Sequence, residues 1–277
     1  MKLLIYKKIF IYLILIILAV SFLIPIYGII VNSFKSLEDL AKNPWAVPKK
    51  WNYNNYSYIW GRKTGGLYNY VLNSFKITIP TVIIVVVFSL MMAYPLARFN
   101  LKINNFLLAL MVFLVTIPTQ IMVIPIFRMI NFLNLYDTIF GLVWVHSGFG
   151  IPFAVFLFRN YMIRIPREIE EAAMLDGANY LQILTKLIVP LCKPAIAVMI
   201  IFEFTWVFNE FLYGLVLTRS NAAPATVGVA VLRSASYAGR WDYQCGAALI
   251  LTMPTLIVFL VFQKYFIKGI MLGSVKE

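Results

Sequence analysis

Glu203, Trp206, Asn209, Glu210 and Tyr213 lie close together inside an otherwise apolar run, and their types suit the binding of a hydroxyl-rich ligand. In a helix, steps of three, four and three residues keep Glu203, Trp206, Glu210 and Tyr213 on one face, with Asn209 beside it. Carboxylates and an amide can bond hydroxyls, while ring faces stack on the C–H faces of a sugar. The same side chains could instead bond to neighbouring helices and hold a bundle together. Either way they need a reason, because an ionisable group in hydrocarbon costs roughly 2.5–3.5 kcal/mol. Gln120 and Thr116 could line the same route, on polarity alone. His146, the one histidine, lies near Trp144 in another apolar run without a second titratable group. A neutral hydrogen-bonding role is the simpler reading there than a proton relay.

The most charged stretch is Arg159–Lys193, reading RNYMIRIPREIEEAAMLDGANYLQILTKLIVPLCKP. Pro166 suits a helix start, and Glu168, Glu170 and Glu171 crowd the first turns, where the helix dipole favours anions. The helix is expected to run to Leu175 and stop at Asp176-Gly177, with Gly177 free to adopt the left-handed conformation. A second short helix, about 179–188, ends before Pro190, and Pro194 opens the next apolar run. Two short helices meeting at a glycine corner form a knob outside the membrane. It would be either an amphipathic hairpin lying on headgroups or a piece that seats in another protein.

Other chemistry finds little support. The chain has no GxxxxGK[ST] for ATP hydrolysis, no HExxH, no GxSxG and no clustered aspartates for a membrane transferase. Cys192 and Cys245 are far apart, without CxxC spacing or a histidine cluster, so neither a disulfide framework nor a metal site is expected. The net charge of +13 is the balance of 24 basic against 11 acidic residues, the basic ones set mostly in the short polar gaps between apolar runs. There they face lipid headgroups, and no nucleic-acid partner is implied.

These groups must be positioned by helices in lipid. Of 277 residues, 62% are hydrophobic and 13% charged, against about half and about a quarter in a soluble domain. Runs of this length cross a bilayer as helices rather than barrel strands. Six spans are predicted, at about 9–31, 75–97, 106–130, 139–158, 194–217 and 246–266, in a single domain covering 1–277. The third is broken by Pro118 and Pro125. The first run, behind Lys2, Lys7 and Lys8, is too long for a signal peptide's apolar core and is read as an uncleaved span. Six spans put both termini on one side, and the density of Lys and Arg weakly favours the inside. The segment 32–74 then lies outside, carrying Trp45, Trp51, Tyr53, Tyr56, Tyr58 and Trp60, which suit an interfacial aromatic layer.

Glu171-Ala172-Ala173, three residues, Gly177, then Ile188 and Pro190, resembles the EAA loop of ABC importer permeases. The resemblance covers nearly the whole chain and is to the carbohydrate-uptake branch, the type of the maltose transporter's second membrane subunit. It includes Asn73-Ser74, Ala93-Tyr94 with Arg98, Pro118 and Pro125, Pro152 with Arg159 through Pro166, Trp206, Asn209-Glu210-Phe211, and the ending from Gly269 to Glu277. Phe208 departs from it, since relatives often carry Trp before Asn-Glu, and the large insertion some relatives have after span two is absent.

The resemblance implies an all-α, type I ABC importer permease (MetI-like) fold of six transmembrane helices. It implies no enzyme activity and no cofactor in this chain, ATP and Mg being bound by a partner ATPase. The implied partners are a second homologous permease subunit, two ATP-binding cassette subunits, an extracellular or periplasmic sugar-binding protein and membrane lipid. The implied location is a bacterial or archaeal cytoplasmic (inner) membrane, multi-pass, with both termini cytoplasmic. The loop 159–193 would be the cytoplasmic coupling element, with Glu170, Glu171, Ala172, Ala173, Asp176, Gly177 and Ala178 meeting the ATPase. Relatives can insert the C-terminus between the ATPase subunits, which gives Gly273, Ser274, Val275 and Lys276 a contact role. The function implied is import of an oligosaccharide or related polyol. The rival is an ion-coupled secondary transporter using Glu203, Glu210 or His146, which would leave the EAA loop unexplained. A multi-pass membrane enzyme would need a catalytic constellation that the sequence does not offer.

Overall fold

The computed structural model describes residues 2–61, 66–100, 102–234 and 239–274, and every regular element among them is helical. Four helices are long and apolar enough to cross a membrane, over Tyr6–Ser33, Tyr68–Arg98, Ile139–Met162 and Trp241–Tyr265. Two bent pairs, Asn104–Thr116 with Thr119–Phe132 and Tyr180–Leu191 with Lys193–Asn209, bring the number to six when each pair counts once.

One unit comprises residues 1–69 and 228–253. Its first helix, α1 (Lys2–Ser33), is uncovered at every residue from Tyr6 to Tyr27. A helix apolar all round and uncovered needs lipid or another chain against it. Its C-terminal end is closed with care. Lys35, only 1% exposed, donates from Nζ to Asn32 Oδ1 and to the carbonyls of Asn43 and Pro44, each at 2.9 Å. Two short helices follow, α2 (Leu37–Lys42) and α3 (Asn54–Trp60). Asn55 in α3 donates to the carbonyls of Ser33 and Lys35, both at 2.9 Å, so carbonyls at the end of α1 find partners in the segment that follows it. Trp45, Trp51, Tyr53, Tyr58 and Trp60 are exposed around this clasp.

The other unit comprises 70–227 and 254–277. It is built on α4 (Tyr68–Arg98), α5 (Asn104–Thr116), α6 (Val123–Phe132) and α7 (Ile139–Met162). Next come α8 (Glu168–Leu175), α9 (Tyr180–Gln182), a widened π turn over Ile183–Ile188 and α10 (Val189–Leu191). The order ends with α11 (Lys193–Asn209), α12 (Leu212–Leu217), α13 (Ala225–Ser234) and α14 (Trp241–Ser274), the last two shared with the first unit. Its largest core joins Val85, Leu90 and Tyr94 of α4 to Val155 and Phe158 of α7 and to Ile183 and Ile188 below the knob.

The third stretch, expected to be broken by Pro118 and Pro125, turns by 88° between α5 and α6 at Pro118, while Pro125 lies in the first turn of α6 and breaks nothing. Ile117 and Pro118 have extended backbone (ψ 120° and 123°), and the residue before a proline is pushed out of the helical region. The stretch expected as one fifth span is interrupted too, since α11 stops at Asn209 and α12 starts at Leu212. Val275 and Lys276 of the expected tail contact lie outside the described residues. Of Gly273 and Ser274 only the backbone is described, as the end of α14.

Candidate functional site

The interruption of α11 is written in two adjacent side chains. Asn209 donates from Nδ2 back to the Thr205 carbonyl at 2.8 Å, holding a carbonyl in the last turn of α11. Glu210 has extended backbone (ψ 133°). Its carboxylate accepts from the amides of Tyr213 at 2.9 Å and Gly214 at 3.1 Å, the donors that open α12. Thr226 Oγ1 donates to the Glu210 carbonyl at 2.7 Å. The single helical stripe from Glu203 to Tyr213 is therefore not what forms, because the Glu210 carboxylate does better as a cap than as the next turn of α11.

The break nevertheless gathers most of the same residues. Tyr213 donates its hydroxyl to the carbonyl of Thr119 at 2.7 Å, tying this break to the one between α5 and α6. The two breaks border an open cleft of about 470 Å³ that reaches Gln120, His146, Trp206, Asn209, Glu210 and Tyr213. Irregular backbone at membrane depth is tolerated where it lines a cavity, and transporters build their sites from such broken helices. Trp206 is 57% exposed, its ring free to meet a ligand, whereas Tyr213 is buried with its hydroxyl already engaged. His146 is buried, with Nε2 4.0 Å from Glu210 Oε2 and Nδ1 without a hydrogen-bond partner. Thr116 ends α5 with its hydroxyl donated to the Phe113 carbonyl, and it does not line this cleft.

Glu203 lies in an adjoining cavity of about 330 Å³ that shares Thr119, Phe149, Phe202 and Trp206 with the cleft. It is 4% exposed, and its Oε1 has no hydrogen-bond partner. Gly150 of α7 makes room for it, since a Cβ there would stand 2.5 Å from Glu203 Oε1.

At the other end of α4 the knob is bolted down. Arg98 donates from Nε to Glu170 Oε1 and from a terminal nitrogen to the Ile165 carbonyl at 3.1 Å, while Tyr94 donates to Glu170 Oε2 at 3.0 Å. Glu170 is 4% exposed, so it belongs to the knob's root and not, as expected, to its outer surface. Glu171, Ala172, Asp176 and Gly177 do face outward, with Ala173 and Ala178 half-buried. Leu175 at the tip is 90% exposed. Gly177 has φ +86°, and Asn179 starts α9 with a capping box to Gln182.

Asp137, which sequence reasoning passed over, clamps the turn after α12. Its carboxylate accepts from the amides of Arg219, Ser220, Asn221 and Ala222 at 2.9–3.4 Å. Burial alone would raise its pKa, but those four amides prevail and hold it below the ordinary carboxylate value. Asn73 donates to the carbonyls of Asn221 and Ala223, and Ser74 Oγ accepts from the Ala225 amide. The only available signal was an aspartate in a polar gap, at a position of positive φ (+55°) that the sequence does not reveal.

A helical core with several candidate membrane spans, a cleft at two helix breaks and a pinned knob fit a membrane transport component. Residues 85–271 match the family described as binding-protein-dependent transport system inner membrane component. A probable ABC transporter permease protein of Pyrococcus horikoshii is 31% identical over 94% of this chain and 95% of its own. The arabinooligosaccharides transport system permease protein AraQ of Bacillus subtilis is 30% identical over 94% of this chain and 92% of its own. A chain of a bacterial ABC transporter involved in the import of the acidic polysaccharide alginate superposes with a TM-score of 0.80 at 26% identity, covering 94% of this chain and 96% of its own. The chain belongs to the family of binding-protein-dependent transport system inner membrane components.

Proposed function

We propose that this chain is one of two permease subunits of an ATP-driven importer of an oligosaccharide or related polyol, set in the cytoplasmic membrane with both termini in the cytoplasm. A loaded extracellular binding protein docks outside, and two ATPase subunits carrying ATP and Mg close inside. The knob α8–Gly177–α9 seats in one of them and carries its closure to α4 and α7. The tail from Gly273 to Lys276 adds a contact between the ATPase subunits. The observation that carries this reading is the knob itself. An apolar tip led by Leu175, 90% exposed, stands on a root fixed by a buried ion pair, which suits a piece meant to be covered by another protein and to transmit force. Relatives named for arabinooligosaccharide and alginate transport support the sugar class.

The experiment is copurification of an ATPase subunit with this chain, followed by uptake in proteoliposomes. Uptake should require ATP inside, together with the binding protein outside. Uptake that persists without ATP and follows an ion gradient would replace this reading with a secondary transporter.

A further inference from the structure

The fold of this family does not fix the charge of its cargo, since one relative belongs to an importer of an acidic polysaccharide. The two joined cavities of this chain bear on that choice. Their lining among the described residues includes two carboxylates, Glu203 and Glu210, and no lysine or arginine. Glu210 is committed to the amides of Tyr213 and Gly214. Glu203 is different. It is 4% exposed, has an oxygen without a partner, and borders the inner cavity beside the rings of Phe149, Phe153, Phe202 and Trp206. Gly150 leaves the space that the carboxyl group fills. Oε1 is sealed against Gly150, so a ligand in the cavity would bond the group through Oε2, and a carboxyl group taken out of water gains from such a bond.

A sugar hydroxyl meets that need whether the carboxyl group carries a proton or not, because it can both donate and accept. A sugar carboxylate only accepts, so it meets that need only where the carboxyl group carries a proton. Entering the inner cavity, it would leave water without meeting a cation from this wall, and it would approach Glu203. We infer that Glu203 is a specificity-determining residue of this chain, accepting a hydroxyl of an uncharged sugar in a subsite against Trp206 and excluding uronate sugars. The inference rests on the importer reading above and goes further, by placing a ligand subsite in this subunit and stating its charge class.

The test uses the complete purified complex of both permeases and both ATPases. Its ligand-induced rise in melting temperature is titrated with uncharged di- to tetrasaccharides of glucose, galactose and arabinose and with the matching uronate oligosaccharides. An uncharged sugar should raise the melting temperature in a saturable way, and the uronates should not. Glu203→Gln, which keeps the shape and a hydrogen-bonding oxygen, should leave the half-saturating concentration within about threefold. Glu203→Leu, apolar and of similar bulk, should raise it about tenfold or more. Uronates that titrate like the uncharged sugars, or a Glu203→Leu complex that titrates like the parent, would overturn the inference. So would the absence of any response in a complex that still performs ATP-driven uptake. Absence of ATP-driven uptake itself would instead remove the importer reading.

Discussion

Arg98 at the end of α4 and Glu170 in the first turn of α8 form an ion pair with side chains only 6% and 5% exposed. The pair is joined by Tyr94 and by the Ile165 carbonyl, so the knob and α4 share one buried polar knot. Packing of Ile183 and Ile188 against α4 and α7 completes the joint. In the proposed importer, motion given to the knob would be handed to α4 and α7 together.

Removing one member of that pair leaves the other buried and uncompensated, at a cost of roughly 3–5 kcal/mol. Glu170→Ala and Arg98→Ala should each lower abundance and uncouple ATP hydrolysis from uptake in whatever complex remains. Glu170→Gln keeps a hydrogen-bond acceptor for Tyr94 and should be milder. The measurement is the ratio of sugar transported to ATP hydrolysed. A ratio unchanged in Glu170→Ala would mean that the knot only holds the fold.

Gly177 stands at φ +86°, with open space where a Cβ would project. Substitution there acts through the backbone alone. Gly177→Val should cost about 1–2 kcal/mol of local strain and tilt the knob, whereas Gly177→Asn, which tolerates the left-handed region, should be milder. ATPase activity stimulated by loaded binding protein should fall in the order glycine, asparagine, valine while membrane insertion stays constant. Equal stimulation in all three would show that the corner's geometry is irrelevant to coupling.

Asp137→Asn should loosen the turn that holds α12 in register. Hydrogen bonds to a charged acceptor favour the low end of about 1.5–3 kcal/mol in a half-buried setting, and the asparagine keeps part of them. Because the Asp137 pKa is lowered in the fold, its contribution is full above its unfolded value near 3.8 and fades as pH falls through the lower folded value. Melting temperatures of parent and variant should therefore differ by a constant amount from neutral pH down to about 5 and converge below 3.8. A gap that widens on acidification would contradict this assignment.

The knob was legible because its signals are local. Three glutamates in a first turn and a DGA corner each determine a short piece of backbone, and α8 ends at Leu175 with Gly177 left-handed as those residues require. The second helix, expected to end before Pro190, instead runs through it to Leu191, because a proline in a first turn lacks only an amide that the widened π turn leaves unused. The long helices were legible from apolar length alone. The break at Glu210 was not. Periodicity treats a helix as continuous, and the hydrogen bond from Asn209 to Thr205 competes with continuation only once the Glu210 carboxylate finds the Tyr213 and Gly214 amides. The inward turn of Glu170 was equally hidden, since Arg98 is distant in sequence and only the fold brings it near.

The last prediction separates residues that build the cleft from those that face its contents. Glu210 builds it, since its carboxylate starts α12 and its carbonyl accepts from Thr226. Glu210→Ala should cost about 1–2 kcal/mol, as loss of a helix cap does, and should lower abundance before it alters affinity. Glu210→Gln retains one good acceptor and should fall between. Trp206 faces the contents, at 57% exposure beside Gln120, Asn209 and Glu203. Trp206→Ala removes a stacking surface of roughly 1 kcal/mol or more, so the sugar concentration for half-maximal uptake should rise about five- to tenfold at normal abundance. Trp206→Phe should restore most of it. Abundance by quantitative blot and uptake against sugar concentration are read for each variant. If Trp206→Ala lowers abundance and leaves the half-maximal concentration unchanged, the ring is packing for a neighbouring subunit and not a surface for sugar. If only the maximal rate falls, Trp206 acts in opening and closing the cleft, and the binding contacts of this chain reduce to Glu203 and its neighbours.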